Sequence, residues 1–257
     1  MTRKTEFVGF LAVAVLATAG AAQAQTSILY ITDGDSDFIK AILGGMIIDQ
    51  NLGIGGSRRY RIAIRDSIWL GDMDAGTNAE FDFNLDPTGN TSPTGIDIVE
   101  GTDGATDGVF NYTVESFVNA GSVYRFNGDW SGGEQLFSVT GTQIVGITYD
   151  TSANTLWIAD QFTIGQYDMA GNVLSSFSHT GDRGSLAYEA ATDTLWYVTN
   201  SGGNTIRQYS KDGLLLDTLS VPFGGNVWGA EFVTIPGPGA LPLLLAAAGF
   251  ARRRRRR

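Results

Sequence analysis

Carboxylates are the most plentiful reactive groups of this chain, which has 27 Asp and Glu residues against 17 Lys and Arg. The run Asp33-Gly34-Asp35-Ser36-Asp37 has the alternating spacing that can place carboxylate oxygens around Ca²⁺. An EF-hand loop would also need Gly at its sixth position and Glu at its twelfth, where this chain has Phe38 and Gly44. Two interpretations stay open: a calcium site, or side chains that cap turns by binding backbone amides. The same alternatives apply to Asp72, Asp74, Asp103, Asp107 and Asp160.

Other chemistry is sparse in the sequence. The single histidine, His179, stands among Ser, Thr, Gly and Asp, a setting typical of a solvated loop. The absence of cysteine excludes disulfides, thiolate metal ligands and cysteine nucleophiles. No Gly-x-Ser-x-Gly elbow, Walker loop or Gly-x-Gly-x-x-Gly motif occurs. We therefore predict no catalytic, cofactor-binding or metal residue, with Ca²⁺ as the one cofactor that the composition keeps open.

The elements that position these groups are indicated by a repeat within Gln143–Leu219. Tyr149 and Trp157 recur as Tyr188 and Trp196, in each case 39 residues later. Each copy holds four short apolar runs separated by turn residues. A period near 40 residues with four such runs is the signature of a propeller blade. We therefore predict an all-β propeller.

The rest of the body can be divided into similar units. Residues 25–234 accommodate five units of about 42 residues, or six if 25–56 or 95–140 holds further strands. The first unit lacks a first strand, whereas the segment 225–233 resembles a first strand with nothing after it. We expect this C-terminal strand to complete the N-terminal blade and close the ring.

Two units give less regular predictions. In the second, Ala79–Leu85 alternates apolar and polar residues, and Asp86–Gly89 is predicted as the following turn. In the third, Gly95–Ile98 is predicted as the first strand and Gly101–Gly108 as a Gly/Asp/Thr-rich insertion.

The tryptophans fall into two groups. Trp69, Trp157 and Trp196 recur at one strand position, which predicts core packing between blades. Trp130 and Trp228 lie outside that register, and Trp130, between Asp129 and Ser131, is predicted to be the more exposed of the two.

Both termini indicate export. Met1–Ala24 has basic Arg3 and Lys4, an apolar run and an Ala22-Gln23-Ala24 pattern, so we predict a signal peptide cleaved after Ala24. At the other end, Pro236-Gly237-Pro238 precedes an apolar run, Ala240–Ala251, which predicts a short transmembrane tail. Six arginines, Arg252–Arg257, end the chain.

This tail resembles the PEP-CTERM sorting signal of Gram-negative bacteria, with Pro-Gly-Pro where that family usually has Pro-Glu-Pro. The resemblance implies processing by the membrane enzyme exosortase, transient anchoring in the inner membrane and delivery to the cell surface or extracellular matrix. The sorting residues it implies are Ala24, Pro236, Gly237, Pro238 and Arg252. We therefore divide the chain into a signal peptide (1–24), a propeller (25–234) and a sorting tail (235–257).

The body resembles the NHL and YVTN propeller repeats. Leu195–Asn200, Asn204–Tyr209 and Lys211–Gly213 follow that pattern closely, and Leu156–Asp160 with Ile164–Tyr167 follows it less closely.

Two functions remain open. The first is a non-enzymatic binding module at the cell surface or in the matrix, with polysaccharide or other envelope proteins as partners. Without the two termini, the body has nine basic and 26 acidic residues, a charge of −17 that disfavours nucleic acid. The second is a propeller lyase or hydrolase that uses carboxylates, with or without Ca²⁺, at the central channel. Carboxylates that converge at the channel mouth would keep the second hypothesis open.

Overall fold

The structure, a computed structural model, describes residues 26–33, 37–54, 58–72, 76–93, 101–116, 120–200 and 204–235. Gln25–Ile235 clusters as one compact unit. The predicted signal peptide, residues 236–257 of the predicted sorting tail and the predicted strand Gly95–Ile98 lie outside the described residues, whereas Ile235 ends the last strand.

The described residues form 20 strands and no helix, and each strand pairs antiparallel with its neighbours in one of five four-stranded sheets. Four sheets are continuous in sequence. They are β4–β7 (Arg59–Ile64, Ile68–Asp72, Thr77–Phe81, Pro87–Pro93), β8–β11 (Gly101–Thr106, Phe110–Glu115, Ser122–Asn127, Glu134–Ser138), β12–β15 (Gly146–Asp150, Thr155–Ala159, Thr163–Tyr167, Val173–Ser178) and β16–β19 (Gly184–Glu189, Thr194–Thr199, Thr205–Tyr209, Leu215–Ser220). The fifth joins β20 (Gly229–Ile235) to β1 (Thr26–Asp33), β2 (Phe38–Leu43) and β3 (Met46–Asn51).

The first strands of the sheets contact one another in the cyclic order β20, β4, β8, β12, β16 and back to β20. We call these five the inner strands. A closed ring of four-stranded sheets is a β-propeller, here with five blades. The sequence prediction of five units is therefore confirmed. We number the blades in chain order, so that blade 1 contains β1.

Strand β20 closes the ring as expected. It pairs along the whole of β1, from Thr26 opposite Ile235 to Thr32 opposite Gly229. Just before it, the Trp228 amide donates to the Thr32 carbonyl at 3.0 Å. Because this pairing joins the two ends of the body, the inner edge of blade 1 is covered and no inner strand is left without a partner.

Blade 2 corrects two predictions. β6 ends at Phe81, and the turn lies at Asp82–Asp86 instead of Asp86–Gly89. The Asp82 carboxylate accepts the backbone amides of Asn84 and Asp86 at 2.9 and 3.1 Å, and Leu85 has a positive φ of 59° with its side chain buried in the core. The alternating pattern that predicted a strand to Leu85 instead comes from a turn that inserts an apolar side chain.

Blade 3 corrects another, because the predicted insertion contains its inner strand, β8. Near the axis the inner strands approach so closely that small residues are required. A Cβ on Gly104 would lie 2.5 Å from the Ile62 carbonyl oxygen of β4 and 2.9 Å from the Trp130 ring. A sequence of Gly, Thr and Asp is therefore an inner strand here, although its composition is typical of a loop.

The core lies between the blades. Trp157 is fully buried, as predicted, whereas Trp69 and Trp196 are only partly buried. The prediction for Trp130 is wrong, since it is fully buried. It stands in a turn with a φ of 64°, its indole donates to the Trp69 carbonyl, and its ring packs on Phe126.

Candidate ligand-binding cavity

A cavity of about 680 Å³ lies at the carboxyl ends of the inner strands. Blades 2 to 5 contribute the last residues of their inner strands or the residues that follow them, and blade 1 contributes Glu231 and Phe232 from within β20. The cavity therefore occupies one mouth of the ring, where all five inner strands contribute to its lining. The residues that represent the five inner strands there are Ile64, Thr106, Tyr149, Tyr188 and Glu231.

The centre of the ring is held by Asp103, a fully buried carboxylate on β8. Its Oδ1 accepts the amides of Gly104 and Ala230 at 2.9 and 3.0 Å, and its Oδ2 accepts those of Ile147 and Leu186 at 3.0 and 2.8 Å. One side chain thereby joins β8 to the inner strands of blades 4, 5 and 1. Four charge-assisted hydrogen bonds to backbone amides are the arrangement that stabilises an ionised carboxylate.

A second buried carboxyl, Glu231 of β20, lines the cavity itself. Its side chain is 7% exposed, and its Oε2 has no hydrogen-bond partner among the described residues. Burial and the neighbouring charge of Asp103 raise the pKa of Glu231 well above its usual range. Only one hydrogen bond, from the backbone amide of Phe232, opposes this effect. Burial also raises the pKa of Asp103 well above its usual range, although hydrogen bonds from four backbone amides oppose that effect. Glu231 has one such hydrogen bond against four, so its burial is the less compensated of the two.

Aromatic side chains form much of the cavity wall. They are Trp69, Tyr149, Tyr188 and Phe232. Tyr149 stacks on Tyr112 with ring centroids 5.9 Å apart, and the Tyr188 hydroxyl donates to Asp193 at 2.7 Å. These contacts fix the two tyrosine rings, so this part of the wall is preformed.

The rim carries three more carboxylates, Asp66, Glu80 and Asp107. Glu80 accepts Thr88 Oγ1 at 2.7 Å and Asn90 Nδ2 at 2.6 Å, and its pKa is lowered, mainly by a hydrogen bond from the Ser67 hydroxyl. Asp107 caps the following turn, because its Oδ1 accepts the amides of residues 109 and 110 at 2.7 Å each. Both are therefore occupied by internal bonds, unlike Glu231 Oε2.

One cation, Arg65, also lies at the rim. Its guanidinium donates to the carbonyls of Val109, at 3.3 Å, and Gly128, both in blade 3. It thus links two blades through backbone carbonyls, and no ion pair of the described residues joins it to a rim carboxylate.

The candidate calcium residues are not brought together in the described structure. Asp35 lies outside it, and Asp33 is buried with its Oδ2 accepting the Asn226 amide at 3.1 Å. Asp160 caps a turn as expected, since its Oδ1 accepts the amides of residues 162 and 163. Within the described ranges no group of three or more His, Asp or Glu side chains has an arrangement that could hold a metal ion.

His179 is not the solvated loop residue that its neighbours in sequence predicted. Its Nε2 lies 2.9 Å from the Asp160 carbonyl oxygen, and its ring centroid lies 4.5 Å from that of Tyr197. The ring is half-buried between blades 4 and 5, and burial lowers its pKa. It does not contribute to the cavity.

The predicted sorting residues, Ala24, Pro236, Gly237, Pro238 and Arg252, all lie outside the described residues. In the part of the chain that the structure describes, no helix is both long and apolar enough to cross a bilayer.

Sequence reasoning missed Asp103 and Glu231 as a pair, because they lie 128 positions apart on strands of different blades. A signal was nevertheless present. Each carboxylate sits inside a strand next to Gly or Ala, where an unpaired charge would be costly unless the backbone or a ligand satisfied it.

Comparison with protein-family models gives no match, and comparison with curated proteins gives none either. Similar solved structures do exist. A chain of the nidogen/laminin complex aligns with a TM-score of 0.56 at 12% identity, over 80% of this chain and 98% of its own length. Virginiamycin B lyase from Staphylococcus aureus aligns with a TM-score of 0.48 at 17% identity, over 75% and 66%. A functionally unknown protein from Desulfotomaculum acetoxidans gives 0.47 at 12% identity, over 79% and 84%. At these identities the first likeness supports the propeller fold alone.

Proposed function

We propose that this protein is an exported, non-enzymatic binding module whose ligand site is the cavity at the mouth of the propeller. The observation that carries the proposal is a preformed cavity lined by aromatic rings, with a buried carboxyl that lacks a partner. Pockets that combine apolar walls with a few convergent polar groups are the usual ligand sites of folded proteins. Surface polysaccharide and other envelope proteins are the partner classes that we propose.

A binding screen on residues 25–235 tests this proposal, because that segment contains every strand of the closed ring. The probes are envelope polysaccharides and an envelope protein fraction. Ala190 is exposed at the cavity rim, so Ala190→Trp should block the mouth without disturbing the core. Ala170, equally exposed but on the outer hairpin of blade 4, provides the matched control Ala170→Trp. Loss of binding in the first variant alone supports the cavity, whereas equal binding by both contradicts it.

We further propose that exosortase sorts the protein through the tail at 235–257, on the strength of the Pro-Gly-Pro motif, apolar run and arginine cluster. The test compares the mass of the protein released from cells with that of the precursor. The proposal predicts a released form that lacks Arg252–Arg257 and the residues before Gln25. A released form that still carries the arginines contradicts it.

The enzyme hypothesis keeps one specific support. Four acidic side chains line the cavity, and one of them, Glu231, is a buried carboxyl with a raised pKa, as a general acid requires. If the wild-type ring cleaves polysaccharide and Glu231→Gln abolishes this cleavage, the result would favour a lyase or hydrolase. Binding without turnover favours the binding module. For Ca²⁺, a melting temperature that EDTA leaves unchanged excludes a structural ion.

A further inference from the structure

The charged groups that line the cavity differ in how many of their hydrogen bonds are made within the protein. Glu80 and Asp107 are bonded internally, and Arg65 is bonded to carbonyls of blade 3. Glu231 differs from these three, because it lines the cavity and its Oε2 is buried without a hydrogen bond to any described residue. A buried polar atom without a partner is costly unless a ligand supplies one.

This inference rests on the proposed function, in which the cavity is the ligand site. We propose that the cavity binds an organic ammonium group, with Glu231 Oε2 as the anionic partner of that group. The surrounding aromatic wall consists of Trp69, Tyr149, Tyr188 and Phe232. An ammonium group donates to a carboxylate and is attracted by the faces of aromatic rings, whereas a hard metal ion takes oxygen ligands. Asp66, Glu80 and Asp107 against one arginine give the mouth a net negative charge even before Glu231 is counted.

Binding should also move a proton. The ammonium charge favours the ionised carboxyl, so a proton that Glu231 holds before binding breaks its O–H bond and passes to the buffer as the ion pair forms. The other charged or titratable groups around Glu231 come from each neighbouring inner strand or its loop and from β1. They are Asp103, Tyr30 (opposite in register on β1), Arg65, Asp66, Glu80, Asp107, Tyr149 and Tyr188.

The test uses pairs of probes that differ only in charge. A glucosamine pentamer is compared with its fully N-acetylated counterpart, and Nα-acetyl-lysine methylamide with its Nε-acetylated form, by calorimetry on residues 25–235. The two pairs distinguish an amino sugar from a lysine side chain as the source of the ammonium group. We expect the charged member of at least one pair to bind at least about tenfold more tightly.

Glu231→Gln should abolish that preference through a roughly 10- to 100-fold rise in Kd, because the amide has the same shape but no charge. Glu134→Gln is the matched control, since Glu134 is exposed on the outer strand of blade 3. If Glu231→Gln does not fold, the comparison of charged and neutral probes on the wild type still tests whether the cavity prefers an ammonium group.

The outcomes separate this inference from the proposed function. Equal binding of charged and neutral probes, abolished by Ala190→Trp, overturns the ammonium site and retains the cavity. Failure of both charged probes to bind overturns the ammonium site, whatever the screen for polysaccharide finds. Displacement of a charged probe by micromolar Ca²⁺ means that the site is a cation site of another kind and also overturns it.

Discussion

Asp103 and Glu231 are two buried carboxyls at the centre of the same ring, and their amide variants should behave oppositely. In Asp103→Asn, either orientation of the amide replaces one oxygen by an NH₂ group, which faces two backbone amides that it cannot accept. Either Gly104 and Ala230, or Ile147 and Leu186, then lose their acceptor. Each buried amide left without a partner costs about 1–3 kcal/mol, so the variant should lose roughly 2–6 kcal/mol of unfolding free energy.

Glu231→Gln is the control for this prediction, since it makes the same change in a side chain whose Oε2 has no bond to lose. It should not lower the unfolding free energy at neutral pH, because the amide carries no charge that would have to be buried. The assay is thermal and urea unfolding of residues 25–235, followed by tryptophan fluorescence. For a ring of this size, the loss in Asp103→Asn corresponds to a fall in Tm of roughly 4–24 °C. Equal midpoints for the two variants would refute the role of Asp103 as the bond between blades.

Three further predictions concern the same ring. Because burial raises the pKa of Glu231 in the folded state, its contribution to stability is complete below the ordinary carboxyl pKa and is lost as the pH rises. Glu231→Gln should therefore flatten the fall in Tm above about pH 5, and parallel curves would contradict this. Lys211 of blade 5 forms an ion pair with the fully buried Asp150 of blade 4 at 2.7 Å. Lys211→Met should therefore lower the free energy of unfolding in urea by about 1–3 kcal/mol. An unchanged free energy would contradict this and would mean that the other hydrogen bonds of Asp150 are enough to stabilise its charge. Gly104→Ala should destabilise the ring by at least about 1 kcal/mol, because the backbone of β4 cannot move away from the added Cβ. Gly53→Ala is the control and should not destabilise the ring, since the nearest atom to its added Cβ is 3.9 Å away. Equal Tm values for the two variants would contradict the close approach of β4 to β8.

The parts of the fold that could be predicted from sequence are those with strong local chemistry. Blades 4 and 5 follow directly from alternating apolar strands and from turns such as Asp212-Gly213, where Gly213 has a φ of 89°. The closing strand was predictable because the first unit lacked a strand and the last segment supplied one.

The inner strand of blade 3 could not be predicted in this way. Its composition is decided by the neighbouring strand β4, whose backbone excludes a side chain at Gly104. The prediction that Trp130 is exposed was wrong for a similar reason. Its Asn-Gly-Asp neighbours indicate a turn, but they do not indicate the direction in which the indole points. Both errors arise from contacts between blades, which single-sequence periodicity does not contain.

The cavity was predictable only in its composition. The sequence indicates abundant carboxylates, but the meeting of Glu231 with Tyr149 and Tyr188 depends on β20 entering blade 1 from the far end of the chain. Ring closure thus creates the candidate site as well as the fold.

Hydrogen–deuterium exchange of residues 25–235, with and without the glucosamine pentamer, tests the claim that this mouth is the ligand site most directly. If the mouth binds the ligand, exchange should slow in the loops that follow the inner strands, at 65–67, 107–108 and 190. The outer strands β15 and β19 should be unaffected. Protection confined to those outer strands, or none in the mouth at saturating pentamer, would contradict it.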